Sequence, residues 1–126
     1  LCGTCGNGKT TMLKAIKRLF GVNSVFIDAQ GVYEYFRREM LLPQFSATDV
    51  LLVDDLGAEP LQVNDFGQPR CPLSELLLSR YKTLSTTVIA TNLTFEQIGK
   101  FYGERVQDRM REMFSVIVYT EPSYRR

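Results

Sequence analysis

The sequence predicts an α/β domain in which a parallel five-stranded sheet carries helices on both faces. Three observations predict it. The strand-like segments are short apolar runs that do not alternate with polar residues, as strands covered on both faces require. These runs alternate along the chain with helix-like segments, the connection that parallel strands need. A glycine-rich stretch, Gly3-Thr4-Cys5-Gly6-Asn7-Gly8-Lys9-Thr10, stands directly before the first helix.

In chain order, Leu13, Ile16, Leu19 and Phe20 recur at helical spacing, with Lys14, Lys17 and Arg18 opposite and Gly21 placed to cap the helix end. Ser24 to Asp28 reads as a buried strand and Val32 to Met40 as a helix. Val50 to Asp54 is a second buried strand, ending in the acids Asp54 and Asp55. The interval from Met40 to Asp49 is short for the connection such folds place there, so a break in the chain is expected within it. Pro72 suits the first position of a helix carrying Leu73, Leu76, Leu77 and Tyr81. Thr87 to Thr91 is another strand. Thr94 and Gln97 have capping-box spacing for a helix through Phe101, and Gly103 separates it from a charged helix, Glu104 to Met113. Ser115 to Tyr119 supplies the last strand. One domain over residues 1–126 is expected, and because only Leu1 and Cys2 precede the glycine-rich stretch, it reads as a fragment lacking most of its first strand and anything before it.

Composition narrows the function. Fifteen Lys and Arg against 14 Asp and Glu give a net charge of +1, which creates no global field for nucleic acid or an anionic membrane. No apolar run approaches the ~20 residues of a membrane span, and a cytoplasmic setting is expected. Three cysteines make no disulfide framework, and with no histidine the Cys2-x-x-Cys5 pair cannot readily complete a zinc site. Those two cysteines read as neighbours of a phosphate loop.

The chemistry is concentrated in four places. Gly3 to Thr10 is a complete G-x-x-x-x-G-K-[ST] pattern in the loop-then-helix context it needs. Glycines allow backbone N–H groups to converge on a phosphate, Lys9 reaches the outer phosphates and the Thr10 hydroxyl ligates magnesium, with Thr11 continuing into the helix. ATP or ADP with Mg2+ is therefore the expected ligand of Gly3, Thr4, Cys5, Gly6, Asn7, Gly8, Lys9, Thr10 and Thr11. Asp54 is placed to share the magnesium, and Asp55 to polarise an attacking water with a side chain one methylene shorter than glutamate, so slow hydrolysis is expected. Glu59 is the next carboxylate downstream. Asn92, after the Thr87 to Thr91 strand, reads either as a water-orienting sensor or as a plain turn residue. Arg105 and Arg109 lie one helical turn apart, either as a solvated face or as an arginine finger for a neighbouring subunit's nucleotide.

Gly-Asn-Gly-Lys-Thr-Thr, Leu-Leu-Val-Asp-Asp-Leu-Gly, Ala-Thr-Asn-Leu and Gly-Glu-Arg-Val-Gln-Asp-Arg-Met together resemble the AAA+ ATPase domain of bacterial DnaC/DnaI helicase loaders, and the related IstB transposition helpers share much of the pattern. The resemblance covers nearly the whole chain, with the segment from Gly103 to Met110 closer to the loaders. It implies a P-loop NTPase of the ASCE class with strand order 5-1-4-3-2, no lid domain, and Arg109 at the finger position with Arg105 as runner-up. It further implies assembly into a homo-oligomer, a replicative DNA helicase as partner and contact with single-stranded DNA. Tyr124-Arg125-Arg126 is expected to be a mobile tail. Three other readings stand beside this one: an IstB-like transposition helper, a P-loop small-molecule kinase, and a nucleotide-binding module that assembles without hydrolysis. A kinase would want an acceptor pocket and an arginine-rich lid, neither of which is evident in the sequence.

Overall fold

The computed structural model describes residues 1–3, 8–39 and 43–119. Seven strands and six α-helices are assigned among them: β1 (Cys2–Gly3), α1 (Lys9–Phe20), β2 (Ser24–Asp28), α2 (Ala29–Glu39), α3 (Pro43–Ala47), β3 (Val50–Leu56), β4 (Val63–Asp65), β5 (Gln68–Arg70), α4 (Pro72–Thr83), β6 (Thr86–Thr91), α5 (Phe95–Tyr102), α6 (Glu104–Met113) and β7 (Val118–Tyr119).

The main sheet runs β2-β3-β6-β1-β7 with every pair parallel, which is 5-1-4-3-2 when its own strands are counted in chain order. Its body is the long-strand trio β2, β3 and β6, and the two-residue strands β1 and β7 extend it. The alternation of β3 explains how both faces fill. Val50 and Leu52 point to one side, where they meet Leu13 of α1 and Ala90. Leu51 and Val53 point to the other, into a larger cluster with Val32 of α2, Leu73, Leu76 and Leu77 of α4, Ile98 of α5, and Val106 and Met110 of α6. Successive side chains of a strand point to opposite faces, so a continuous apolar run is what a sheet between two helical layers needs.

Local signals account for most helix boundaries. The Gly21 N–H bonds to the Lys17 carbonyl at the end of α1. Pro72 opens α4, and Thr94 and Gln97 make both bonds of a capping box before α5. Elsewhere the structure corrects the sequence reading. Helix α2 starts at Ala29, three residues before Val32, because Asp28 caps it by accepting from the Gly31 N–H at 2.7 Å. The last strand is confined to Val118–Tyr119 instead of starting at Ser115, although Ile117 O already accepts from Cys2 N–H at 2.8 Å. Strand β3 runs on to Leu56. Two elements were not anticipated: the short helix α3 and the antiparallel hairpin β4–β5, whose turn residues Phe66 and Gly67 both have positive φ. The chain break expected between Met40 and Asp49 falls partly on residues 40–42, outside the described residues, and the tail Tyr124-Arg125-Arg126 lies outside them too.

Arg80 of α4 is completely buried. Its guanidinium donates to Thr87 Oγ1 at 2.7 Å and to the backbone carbonyls of Phe45, Ser46, Thr48 and Thr86 at 2.7–3.2 Å. One side chain thus pins α3 and the entry to β3 against the entry to β6. Burial lowers its pKa from the ordinary arginine value, with nearby Asp49 acting in the opposite direction.

Candidate functional site

The register of the sheet brings three strand ends that carry predicted residues to one edge. Thr91 at the end of β6 pairs with Leu56 of β3 on one side and with Cys2 of β1 on the other. The carboxyl ends of β1, β3 and β6 therefore lie next to one another, and this is where ligands bind in open parallel sheets. The chain leaves β1 at Gly3 into the glycine-rich stretch, passes Asp54 and Asp55 in the last residues of β3, and leaves β6 at Asn92. Thr4, Cys5, Gly6 and Asn7 lie outside the described residues.

The far end of the glycine-rich stretch is described. Gly8 has φ 91°, a left-handed conformation that residues with a Cβ rarely adopt, and it turns the chain into α1. Helix α1 has neither a side-chain cap nor an acid in its first turn. The dipole of a helix start without an acid favours an anion there. Lys9, the first residue of α1, is only 6% exposed, while Thr11 faces solvent.

Asp54 follows Leu52 by two residues and so shares the face that meets α1. Its carboxylate is 7% exposed and both oxygens are bonded: Thr10 Oγ1 donates to Oδ2 at 2.8 Å, and the Asp55 N–H donates to Oδ1 at 3.0 Å. Between Val53 and Leu56 the β3–β6 register advances three residues on β3 against two on β6, a bulge. Asp55 sits in that bulge with φ 53°, unusual for a non-glycine residue, and its side chain is exposed. The two acids differ at the bulge: Asp54 is buried against Thr10 of α1, and Asp55 is exposed.

Among the described residues no three His, Cys, Asp or Glu side chains cluster to hold a metal by themselves. The Thr10 hydroxyl and Asp54 do fit magnesium of the kind that keeps several waters and is shared with phosphate oxygens. The only proton of the Thr10 hydroxyl goes to Asp54, which leaves its lone pairs for a cation.

The other predicted residues are not gathered as closely. Asn92 is exposed just beyond β6. The adjoining Thr91, not anticipated, is buried: its Oγ1 donates to Leu56 O at 2.6 Å and accepts from the Leu93 N–H at 3.0 Å, tying the end of β6 to the end of β3. Glu59 is buried, accepting from the Gly57 N–H at 2.8 Å and from the Tyr102 hydroxyl at 2.5 and 3.0 Å, so it is held away from any role as an open base. Burial raises its pKa above the ordinary glutamate value, opposed by the Tyr102 and Gly57 bonds. Arg105 and Arg109 are both exposed on α6. Arg109 lies over the Tyr81 ring at 5.1 Å and pairs with Glu112 at 3.5 Å, whereas Arg105 makes no hydrogen bond or ion pair among the described residues. Cys2 and Cys71 are free thiols, and among the described residues no helix is long and apolar enough to cross a membrane.

No family model matches the chain. The replicative helicase loader DnaC of Escherichia coli K12 is 30% identical over 88 residues, which are 69% of this chain and 34% of that protein, so the chain spans about a third of the curated relatives it matches. The crystal structure of DnaI superposes with a TM-score of 0.73 at 24% identity, covering 98% of this chain and 70% of that one. AMPPCP-bound DnaA from Aquifex aeolicus superposes with a TM-score of 0.63 at 17% identity, covering 94% and 38%. The two structural likenesses carry the fold, and the DnaC match adds likeness in sequence. In sheet order, fold and sequence the chain is similar to the DnaC/DnaI-type AAA+ domains.

Proposed function

We propose that this chain binds ATP with magnesium through residues 3–11 and Asp54, and uses it as a switch in loading a replicative DNA helicase. The observation that carries the reading is the 2.8 Å bond from Thr10 to Asp54, which sets a hydroxyl and a carboxylate side by side next to buried Lys9 at the N-terminus of α1. A helix dipole, an ammonium and a metal-binding pair then converge where the outer phosphates and their magnesium would sit. The loader role and the helicase as partner rest on the likeness to the replicative helicase loader DnaC; contact with single-stranded DNA and a cytosolic setting rest on the resemblance and composition read from the sequence.

In this reading hydrolysis is slow. Asp55 is the water-polarising acid, exposed at the bulge, and Asn92 orients the water from the neighbouring strand end. Arg109 acts on the nucleotide of an adjoining copy in a homo-oligomer, with Arg105 as the alternative. Releasing Arg109 from exposed Glu112 costs little, since such surface pairs contribute about 0–1 kcal/mol.

The binding test is calorimetry of ADP–magnesium with the wild type and Lys9→Ala. Loss of one charge-assisted phosphate contact is expected to cost on the order of 2 kcal/mol. Equal affinities would overturn the nucleotide reading. The trans role is tested by mixing Lys9→Ala with Arg109→Ala: recovery of hydrolysis from two inactive proteins supports a shared site, and full activity of Arg109→Ala alone moves the role to Arg105 or removes it.

A further inference from the structure

Glu59 is 4% exposed and has no cationic partner among the described residues. A buried carboxyl held by a phenol and an amide costs stability that a well-packed apolar side chain would not. Its geometry shows what the cost secures. On one side, Glu59 Oε1 holds the Gly57 N–H at 2.8 Å, inside the turn that the Ala58 N–H closes onto Asp55 O at 3.0 Å. On the other, both of its oxygens receive the hydroxyl of Tyr102, the last residue of α5.

Tyr102 stands directly before Gly103, from which α6 begins. Helices α5 and α6 are locked together. The Gln107 side chain donates to Phe95 O at 3.0 Å, and it lies so close to Gly99 that a Cβ there would stand 2.6 Å away. Tyr102 cannot shift without carrying the start of α6, where Arg105 is.

We propose that Glu59 and Tyr102 form a positioning pair that couples the turn following Asp55 to the helix carrying Arg105 and Arg109. This rests on the nucleotide reading above for its consequence, not for its geometry. A change at the phosphate edge that moves the Gly57 turn moves the presentation of the arginines to a neighbouring copy. Coupling of this kind is reciprocal, so docking of a neighbour against α6 also sets the position of Asp55.

The experiment compares wild type, Tyr102→Phe, which removes only the hydroxyl, and Glu59→Gln, which keeps an acceptor for both donors. Hydrogen exchange without nucleotide is expected to quicken in Tyr102→Phe at residues 56–58 and at 104–107 together, and to stay near wild type in Glu59→Gln. In hydrolysis assays of the assembled protein, kcat of Tyr102→Phe is expected to fall about tenfold with KM within about twofold, as for a small misplacement of a reacting group. Faster exchange in one segment only, or wild-type kcat in Tyr102→Phe, overturns the coupling. A wild type that binds no ATP overturns the nucleotide reading instead, and the exchange comparison then still decides whether the pair ties the two segments.

Discussion

Thr10 and Asp54, 44 residues apart, are joined by a 2.8 Å hydrogen bond from Oγ1 to Oδ2. The bond connects the first turn of α1 to the end of β3 and directs the hydroxyl proton away from where a cation would sit. Thr10→Val preserves shape but removes the hydroxyl. Magnesium is expected to stop strengthening ATP binding in this variant, and Thr10→Ser is expected to restore the effect. Titration calorimetry with and without magnesium decides it, and an unchanged magnesium effect in Thr10→Val sinks the assignment. The valine also strands Asp54 Oδ2 with no donor, so ~1–3 kcal/mol of stability goes with it.

Arg80→Met tests the buried guanidinium. The methionine fills much of the same space, but Phe45 O, Ser46 O, Thr48 O and Thr86 O lose their donor at once. Unsatisfied buried acceptors lead to an expected loss of about 3 kcal/mol in urea unfolding. A loss below about 1 kcal/mol would mean that water takes over those carbonyls.

Gly57 has φ 99°, and a Cβ there would stand 2.5 Å from Leu93 Cδ1. Gly57→Ala is expected to destabilise by about 1–3 kcal/mol through backbone strain plus the clash. The two causes separate in a double-mutant cycle with Leu93→Ala, which relieves the clash and leaves the strain. Thermal unfolding of the four proteins measures both, and additive losses would assign the whole effect to the backbone.

Glu59 makes stability depend on pH in a definite sense. Its folded pKa is raised above the 4.5 of an ordinary glutamate, so between those two values the folded protein holds a proton that the unfolded chain has lost. Stability then falls as pH rises from about 4.5 through the folded pKa, and levels off above it. Glu59→Gln has nothing to titrate and is expected to flatten that decline. Denaturation midpoints of both proteins from pH 4 to 8 give the comparison, and parallel curves would assign the slope to other groups.

Short-range signals account for part of this fold, and contacts between distant residues for the rest. The glycine before α1, the acid pair closing an apolar run, the proline at the start of α4 and the capping box of Thr94 and Gln97 each act over a few residues, so they were legible as residues at fixed spacing. The start of α2 was legible too, in Asp28, but the apolar periodicity from Val32 onward masked the cap. The hairpin was missed because its turn places Phe66 at φ 49°, where glycine or asparagine would have announced it.

By itself the sequence determined the α/β fold class and picked out the candidate residues, because periodicity, caps and the glycine-rich stretch are local properties of the chain. Only the tertiary structure decided that Arg80 is buried, that Glu59 serves Tyr102 and Gly57, that Asp54 and Asp55 part at a bulge, and that Arg109 is engaged by Tyr81 and Glu112 while Arg105 is not. A charged side chain in a sequence reads as surface. Whether it is one depends on carbonyls, hydroxyls and rings brought to it from elements tens of residues away, and no local pattern encodes that meeting.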